Sequence, residues 1–263
     1  MPLAIFAEKR NFRGLLRLSD KIIIFPWQFY RDSILRNSPY TDLKSWSNVL
    51  AENIGELDLR IASRSVFLEV LDELYNKYGF TGKPYEKAPN LSALHATIKT
   101  KKYPRYSNQE KHLQSIDIRV SGILRHCGSI FDCNYGIDLE KLLQTDFIIE
   151  LDGLALEMKE FLIRILLSRI FMYYLGKGER TGKIRTLVMI DEIQKLLSRQ
   201  QEIREGPFLL GQLVALAREH GVGLVCGAQN LRDLSYSLTS NCSIKIGTGF
   251  ADLRDLDEFC RVV

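Results

Sequence analysis

Thr186-Leu-Val-Met-Ile-Asp-Glu-Ile-Gln194 is a run of apolar, β-favouring residues that ends in two adjacent carboxylates. A short apolar run between polar residues is typical of a strand that is covered on both faces of a parallel sheet. Parallel sheets bind ligands just beyond the carboxyl ends of their strands, so we expect Asp191 and Glu192 to lie at such a site. The same residues also fit a strand that leads into a helix with an N-cap aspartate and an acidic first turn.

The composition is that of a globular protein. Of the 263 residues, 46% are hydrophobic and 26% are charged, which excludes a disordered chain. The net charge of +4 permits a polyanionic partner without requiring one. The 5 cysteines form no C-x-x-C pair, so we expect neither a disulfide framework nor a zinc site, and a reducing, cytoplasmic location follows. No apolar stretch is long enough to cross a bilayer, and the start lacks a signal-peptide pattern.

Strand and helix patterns alternate along the chain. Short apolar runs predict strands at residues 3–7, 21–25, 147–151, 186–190, 223–227 and 243–247. Helical spacing runs from Asp42 to about Gly136, and further helices are predicted at 157–174, from about Ile193, and at 209–219. We therefore predict an α/β fold with a doubly wound parallel sheet that is interrupted by an all-helical insertion. The predicted parts are residues 1–38 and 141–263 for the core and 39–140 for the insertion.

Two further residues accompany the acidic pair. The strand at 223–227 is followed by Ala228 and Gln229, so the Gln229 amide is expected at the same sheet edge as Glu192. A glutamine there can orient water or contact a phosphoryl group, although a plain turn is the alternative. Arg218 ends the helix before this strand. It either complements a helix C-terminus or lies at a subunit boundary and touches a neighbour's phosphates.

Several segments resemble, in order and spacing, the HerA/FtsK-type pumping ATPases, and the type IV secretion ATPases look similar. The segments are Leu187-Val-Met-Ile-Asp-Glu-Ile, Ala215-Leu-Ala-Arg-Glu-His-Gly-Val-Gly-Leu, Gly227-Ala-Gln-Asn and Leu238-Thr-Ser-Asn-Cys-Ser-Ile-Lys-Ile, and the resemblance covers residues 141 to 259. It implies a RecA-like core that uses ATP and Mg²⁺ in a hexameric ring of identical subunits and moves DNA through a central pore. The implied roles are Mg²⁺ binding through water for Asp191, catalytic base for Glu192, phosphate sensor for Gln229 and interface arginine for Arg218.

The phosphate-binding (Walker A) loop of such ATPases, G-x-x-x-x-G-K-[ST], does not occur in the sequence. Gly79 to Pro84 and Gly178 to Ile184 come near it, but both lack the glycine spacing and the hydroxyl residue. In the family the loop lies just upstream of the strand that matches residues 3–7. We therefore expect the chain to begin just after the loop strand and to end before the closing elements. Alone it should bind ATP poorly and should expose unpaired strand edges where the loop strand belongs.

The sequence leaves three functions open. The leading hypothesis is a portion of a HerA-like, ATP-dependent DNA translocase or helicase, with DNA and a nuclease or other ring-associated protein as partners. The second is a non-catalytic remnant that co-assembles with an intact ATPase. The third is part of a type IV secretion-like ATPase that moves protein or DNA. The basic aromatic stretch from Lys99 to Tyr106 fits either a nucleic-acid contact or a solvated loop.

Overall fold

The computed structural model describes residues 1–7, 10–17, 19, 21–55, 61–84, 86–205, 211, 214, 216, 218–249 and 253–262. Side chains of a few of these, at positions 11, 55, 61, 62, 201, 204, 205 and 262, are excluded from the description. Within these ranges, none of the helices has the length and apolarity that a membrane crossing requires.

A parallel sheet of five strands forms the centre of the molecule. The strands are β1 (Leu3–Ala7), β2 (Ile23–Pro26), β3 (Phe147–Glu150), β4 (Thr186–Ile190) and β5 (Val222–Cys226), and their spatial order is β2-β3-β1-β4-β5. Every neighbouring pair is parallel, with Phe6 opposite Ile190 and Ile190 opposite Cys226. The carboxyl ends of β4 and β5 therefore lie side by side, where parallel sheets place their ligands.

The helices follow the predicted periodicity. Those between β2 and β3 are α1 (Leu43–Gly55), α2 (Ile61–Tyr78), α3 (Leu91–Thr100), α4 (Asn108–Phe131) and the short α5 (Leu139–Leu142). The later ones are α6 (Leu156–Lys177), α7 (Arg199–Glu205), α8 (Tyr236–Asn241) and α9 (Leu253–Val262). The side chains of Asn90 and Ser107 cap α3 and α4 by accepting backbone N–H hydrogen bonds, which is why these helices begin there. An all-helical segment thus interrupts the sheet, as predicted.

A buried arginine joins α6 to the chain that enters the helical segment. Arg169 Nε donates to Asp32 Oδ2 over 2.9 Å, and its Nη2 donates to the carbonyl oxygens of Ser33 and Arg36 over 2.6 and 3.0 Å. Its guanidinium lies 4.6 Å from the ring centroid of Trp46. The side chains of Arg169 and Asp32 are only 6% and 7% exposed. This group, which we call the Arg169 hub, fixes the helical segment to the core.

Some predicted elements differ from those observed. The strand predicted at 243–247 is wrong, because residues 243–249 form neither a strand nor a helix and pair with no strand in the described ranges. The helix predicted from Ile193 is replaced by a 3-10 turn at Ile193–Lys195, and α7 begins at Arg199. Most of the predicted helix at 209–219 lies outside the described residues, and Arg218 belongs to a 3-10 turn, Arg218–His220.

Candidate active site

Glu192 occupies an unusual position at the carboxyl end of β4. Its backbone is left-handed, with φ +53°, which is uncommon for a residue other than glycine and often marks a functional site. Its Oε1 accepts a hydrogen bond from Gln229 Nε2 over 2.9 Å, and its Oε2 forms an ion pair with Lys195 Nζ. Lys195 comes from the 3-10 turn that replaces the predicted helix. The structure therefore joins Glu192 and Gln229, as the sequence predicts, and adds Lys195.

The loop after β5 is tied to the loop after β4 through its backbone. Gly227 N–H donates to the Ile190 carbonyl over 2.9 Å, and Ile193 N–H donates to the Gly227 carbonyl over 3.0 Å. A side chain at position 227 is disfavoured, because a Cβ atom there would lie 2.8 Å from Asp191 Oδ1. These contacts fix the distance between the two loops, and so they hold Gln229 beside Glu192.

Asp191 faces solvent next to this pair. Its Oδ1 accepts a hydrogen bond from the Glu192 N–H over 3.0 Å, and the residue is exposed. Carboxylate and amide oxygens are the ligands that Mg²⁺ prefers, and Mg²⁺ keeps several of its waters when one or two carboxylates hold it. The exposed Asp191 carboxylate therefore fits a hydrated Mg²⁺, which would polarise phosphoryl oxygens there. Among the described residues no cluster of three or more His, Cys, Asp or Glu could enclose a metal by itself.

Arg218 lies apart from this group. Its 3-10 turn immediately precedes the amino end of β5, whereas Gln229 follows the carboxyl end of the same strand. Five residues of strand separate the two ends, a length of about 16 Å at 3.3 Å per residue. Arg218 is exposed. This separation places Arg218 away from Asp191 and Gln229 in the same chain, and its role at a subunit interface stays a prediction.

A second acidic group at the same sheet edge escaped the sequence analysis. Glu150 ends β3, and its two carboxylate oxygens accept from Arg13 Nε and Nη2 over 2.6 and 2.7 Å. The hydrogen bond from Arg13 lowers the pKa of Glu150 more than burial raises it. A carboxylate inside the apolar run Phe147-Ile-Ile-Glu-Leu151 was the signal available in the sequence.

Two segments that resembled functional motifs in the sequence, a glycine pattern and the basic aromatic stretch, have structural explanations in the fold. Gly178 is the left-handed C-cap residue of α6, so this glycine near-match is a helix end. In the basic stretch, Lys99 pairs with Asp117 over 2.6 Å and Lys101 pairs with Glu73 over 2.9 Å. These acids neutralise part of the stretch, which favours the solvated-loop interpretation.

Solved structures with the same fold identify the architecture. VirB4 of Thermoanaerobacter pseudethanolicus matches 99% of this chain at a TM-score of 0.70 and 15% identity. The bacterial conjugative coupling protein TrwB matches 87% at a TM-score of 0.57 and 16% identity, both unbound and in complexes with an ATP analogue or with ADP and Mg²⁺. The chain therefore shares the RecA-like fold of VirB4 and TrwB, a parallel sheet with helices.

The match is structural and partial. The chain spans 72% of the VirB4 chain and less than two thirds of the TrwB chains, 62% in the unbound form. No protein-family model matches the sequence, and a search of curated proteins finds no match either. Because identity is low, the likeness establishes the fold, and the activity has to be argued from the site.

Proposed function

We propose that this chain supplies part of an ATPase site of the kind that drives type IV secretion or conjugation. Its part consists of the residues that bind Mg²⁺ and activate the attacking water. Asp191 holds Mg²⁺ through water, Glu192 is the base that activates the attacking water, and Gln229 contacts the transferring phosphoryl group. The observation that carries the proposal is the joining of Glu192 to Gln229 beside the exposed Asp191, at the carboxyl edge of a RecA-like sheet. The phosphate-binding loop then comes from outside residues 1–263.

The geometry of Glu192 supports a role for its carboxylate in the reaction. A catalytic base must reach the water that attacks phosphorus. Gln229 and Lys195 hold the Glu192 carboxylate at the carboxyl end of β4, where such a water would lie. TrwB has been solved in complexes with an ATP analogue and with ADP and Mg²⁺, which agrees with the proposed cofactors. A HerA-like DNA translocase or helicase is a more specific version of this proposal. The similarity to VirB4 favours an ATPase of secretion or conjugation instead.

The proposal extends to a ring of identical subunits. Arg218 is exposed at the opposite edge of the sheet from Asp191, which supports a role at a site on a neighbouring subunit. DNA or protein is the cargo in this proposal, and a nuclease or other ring-associated protein remains a candidate partner. Analytical ultracentrifugation of the chain joined to a loop-bearing segment, with ATP and with and without DNA, would test the ring, and a species that stays monomeric would contradict it.

Nucleotide binding by the isolated chain is the first test. Because the sequence contains no loop to cradle phosphates, the chain alone should bind ATP weakly, with affinity in the millimolar range or weaker. Fluorescence titration with labelled ATP, with and without Mg²⁺, measures this affinity. Micromolar, Mg²⁺-dependent binding by residues 1–263 alone would contradict the division of the site.

Hydrolysis is the second test, made once a loop-bearing segment is joined to the chain. Glu192→Gln should lower the ATPase rate by about 10²- to 10⁴-fold, the range for loss of a general base, while ATP affinity is kept. Glu157→Gln, at an exposed position in the first turn of α6, is the matched control and should leave the rate unchanged. Turnover that persists in Glu192→Gln would remove Glu192 from the proposed role.

A non-catalytic subunit that assembles with an intact ATPase is the second candidate. A sequence without the Walker A motif agrees with this candidate as well as with the first. Co-purification with such an ATPase distinguishes the two. In that case Glu192→Gln would leave the ATPase rate of the mixed assembly unchanged.

A further inference from the structure

Lys195 is a partly exposed residue in a turn whose apolar residues are buried. Ile193, Leu196 and Leu197 pack in the hydrophobic core. The N–H groups of Leu196 and Leu197 both donate to the Ile193 carbonyl, over 2.9 and 3.0 Å, so the backbone of the turn is fixed. The side chain of Lys195 keeps contact with solvent. It therefore extends to the surface just beyond the carboxyl end of β4.

The geometry of this turn places the Lys195 ammonium group beside Glu192. Glu192 is the N-cap residue of the 3-10 turn Ile193–Lys195, and residues three apart in a 3-10 helix lie one above the other. Lys195 Nζ forms an ion pair with Glu192 Oε2, and Gln229 Nε2 donates to Glu192 Oε1 over 2.9 Å. Both carboxylate oxygens of the proposed base are thus engaged by groups of the protein.

The charges at this end of β4 are close together. Asp191 and Glu192 contribute two adjacent negative charges, and Lys195 contributes one positive charge. Asp191 is exposed, and its Oδ1 accepts the Glu192 N–H, so a metal ion at Asp191 would lie close to the ion pair. The carboxylates attract a divalent cation there, and the Lys195 ammonium group repels it. Lys195 therefore weakens the attraction of this site for a free metal ion.

The ion pair has a small part in folding. Ion pairs that water reaches are screened and stabilise proteins only slightly. The carboxylate partner is also the residue whose left-handed backbone, with φ +53°, marks a functional position. A cation that lies on the proposed base, and that the fold does not require, acts on the chemistry of the site.

We propose that Lys195 is a counter-ion of Glu192 that keeps free divalent cations away from Asp191 and Glu192 and yields to a cation that arrives with a polyphosphate. The phosphate oxygens of a metal–nucleotide complex offer the ammonium group a new anionic partner, whereas a hydrated metal ion offers none. The site thereby selects the complex over free Mg²⁺, and the Glu192 carboxylate is released when the complex binds. Lys195 is a positioning residue in this proposal, since it acts through Glu192.

The two parts of the proposal have different foundations. The identity of the nucleotide rests on the proposed function. The competition between Lys195 and a divalent cation rests on the ion pair and on the neighbouring aspartate alone. The competition can therefore be tested on the chain of 263 residues without a phosphate-binding loop.

Mn²⁺ is the probe for this competition. It takes the carboxylate and water ligands that Mg²⁺ takes, and its paramagnetism broadens the NMR signals of nearby nuclei. The backbone amides of Gly227 and Gln229 report its binding, because position 227 adjoins Asp191 Oδ1 and Gln229 bonds to Glu192. Lys195→Met removes the charge and keeps an unbranched apolar chain, whereas Lys195→Arg keeps the charge.

The expected result is easier Mn²⁺ binding in Lys195→Met. The Mn²⁺ concentration that broadens the Gly227 and Gln229 signals should fall by about three- to tenfold at low salt, the effect of one unit charge on a divalent ion across several ångströms of water. Lys195→Arg should respond as the wild-type chain does. The difference should shrink in about 1 M NaCl, where the Debye length is about 3 Å.

Lys99→Met is the matched control. Lys99 forms an ion pair with Asp117 over 2.6 Å in the helical segment, so its loss changes the total charge equally and leaves this site intact. It should leave the broadening of Gly227 and Gln229 unchanged. An unchanged Mn²⁺ response in Lys195→Met would overturn the proposal. A changed response that Lys195→Arg shares would also overturn it, because the charge would then not be the cause.

Inhibition by excess metal is a second readout, in the chain joined to a loop-bearing segment. With Lys195 present, the ATPase rate should stay constant when Mg²⁺ is raised to a large excess over ATP. In Lys195→Met the rate should fall under the same conditions, because a second cation can then neutralise Glu192. Lys195→Arg should restore the constant rate. A constant rate in Lys195→Met would contradict the exclusion of free metal by Lys195.

The Mn²⁺ titration separates this inference from the proposed function. Easier Mn²⁺ binding in Lys195→Met, with turnover that persists in Glu192→Gln, would support the counter-ion and contradict the proposed base. An unchanged Mn²⁺ response in Lys195→Met, with loss of turnover in Glu192→Gln, would support the ATPase site and overturn the counter-ion.

Discussion

Asp32 and Glu192 each face a cation, but their surroundings are opposite. Asp32 and Arg169 are 7% and 6% exposed, and two backbone carbonyl oxygens accept hydrogen bonds from Arg169 Nη2. Glu192 and Lys195 are 20% and 29% exposed and lie just beyond the carboxyl end of β4, beside the exposed Asp191. A glutamine from another loop bonds to Glu192 as well.

This difference separates an ion pair that stabilises the fold from one whose carboxylate is open to a ligand. In the Arg169 hub the charges satisfy each other and the backbone, so they hold elements together and leave little for a ligand. At Glu192 the charges are reachable by solvent, and the backbone is held in a conformation that is unfavourable for glutamate. Replacement of the buried group should therefore affect folding, whereas replacement of the exposed group should affect chemistry.

Removal of the buried cation should have the largest effect on stability. Arg169→Met leaves Asp32 without its partner in the core, and loss of one member of a buried ion pair costs about 3 to 5 kcal/mol. Urea unfolding followed by circular dichroism measures the loss. The double variant Arg169→Met with Asp32→Asn should be more stable than the single variant, because the uncompensated charge is removed. A loss below about 1 kcal/mol in the single variant would show that the hub does not fix the fold.

Glu150 lies between the two cases, since its carboxylate is 3% exposed and its partner Arg13 is 48% exposed. Glu150→Gln should cost about 1 to 2 kcal/mol at neutral pH, a value reduced for the exposure of Arg13. The folded pKa of Glu150 is lowered, mainly by the Arg13 hydrogen bond, so its stabilisation is present above the unfolded value near 4.3.

That stabilisation should disappear as pH falls through the lowered folded pKa of Glu150. The difference in unfolding free energy between the wild-type chain and Glu150→Gln should therefore shrink below about pH 4, as urea titrations over a pH series would measure. A difference that stays constant down to pH 3 would show that the ion pair with Arg13 contributes nothing.

The smallest effect on stability is expected at the active site. In Gly227→Ala the new Cβ would meet Asp191 Oδ1 at 2.8 Å, and an exposed carboxylate can turn away. The cost in unfolding free energy should be about 0.5 kcal/mol, as for other surface changes. The ATPase rate of the loop-bearing fusion should nevertheless fall, because Asp191 is displaced. An unchanged rate would contradict the proposed role of Asp191 in binding Mg²⁺.

The sequence predicted most of the fold because local pattern and burial agree there. β1 and β4 have the predicted bounds, and β5 is shifted by one residue. Strands buried on both faces of a parallel sheet are continuous apolar runs, so the ends of the run set the ends of the strand. The strand predicted at residues 243–247 failed for a different reason. Its composition favours a strand, but pairing depends on a neighbouring backbone that composition does not report.

The site was predicted only in part. Asp191, Glu192 and Gln229 follow adjacent strands, so sequence order sufficed to bring them together. The left-handed backbone at Glu192 and its ion pair with Lys195 were indicated by no sequence pattern. Arg218 was correctly placed just before β5, and that position puts it at the opposite edge of the sheet from the acids.

The two tryptophans of the chain mark these two environments optically. Trp46 is fully buried, donates its indole N–H to the Ile34 carbonyl over 2.8 Å and lies against Arg169. Trp27 is partly exposed and donates to the Asp152 carbonyl over 2.9 Å, just beyond the carboxyl end of β3. Emission from Trp46 therefore reports whether the core is intact, and emission from Trp27 reports events at the edge where strands and ligands meet. With phenylalanine at either position, a single fluorescence signal would follow one region without the other.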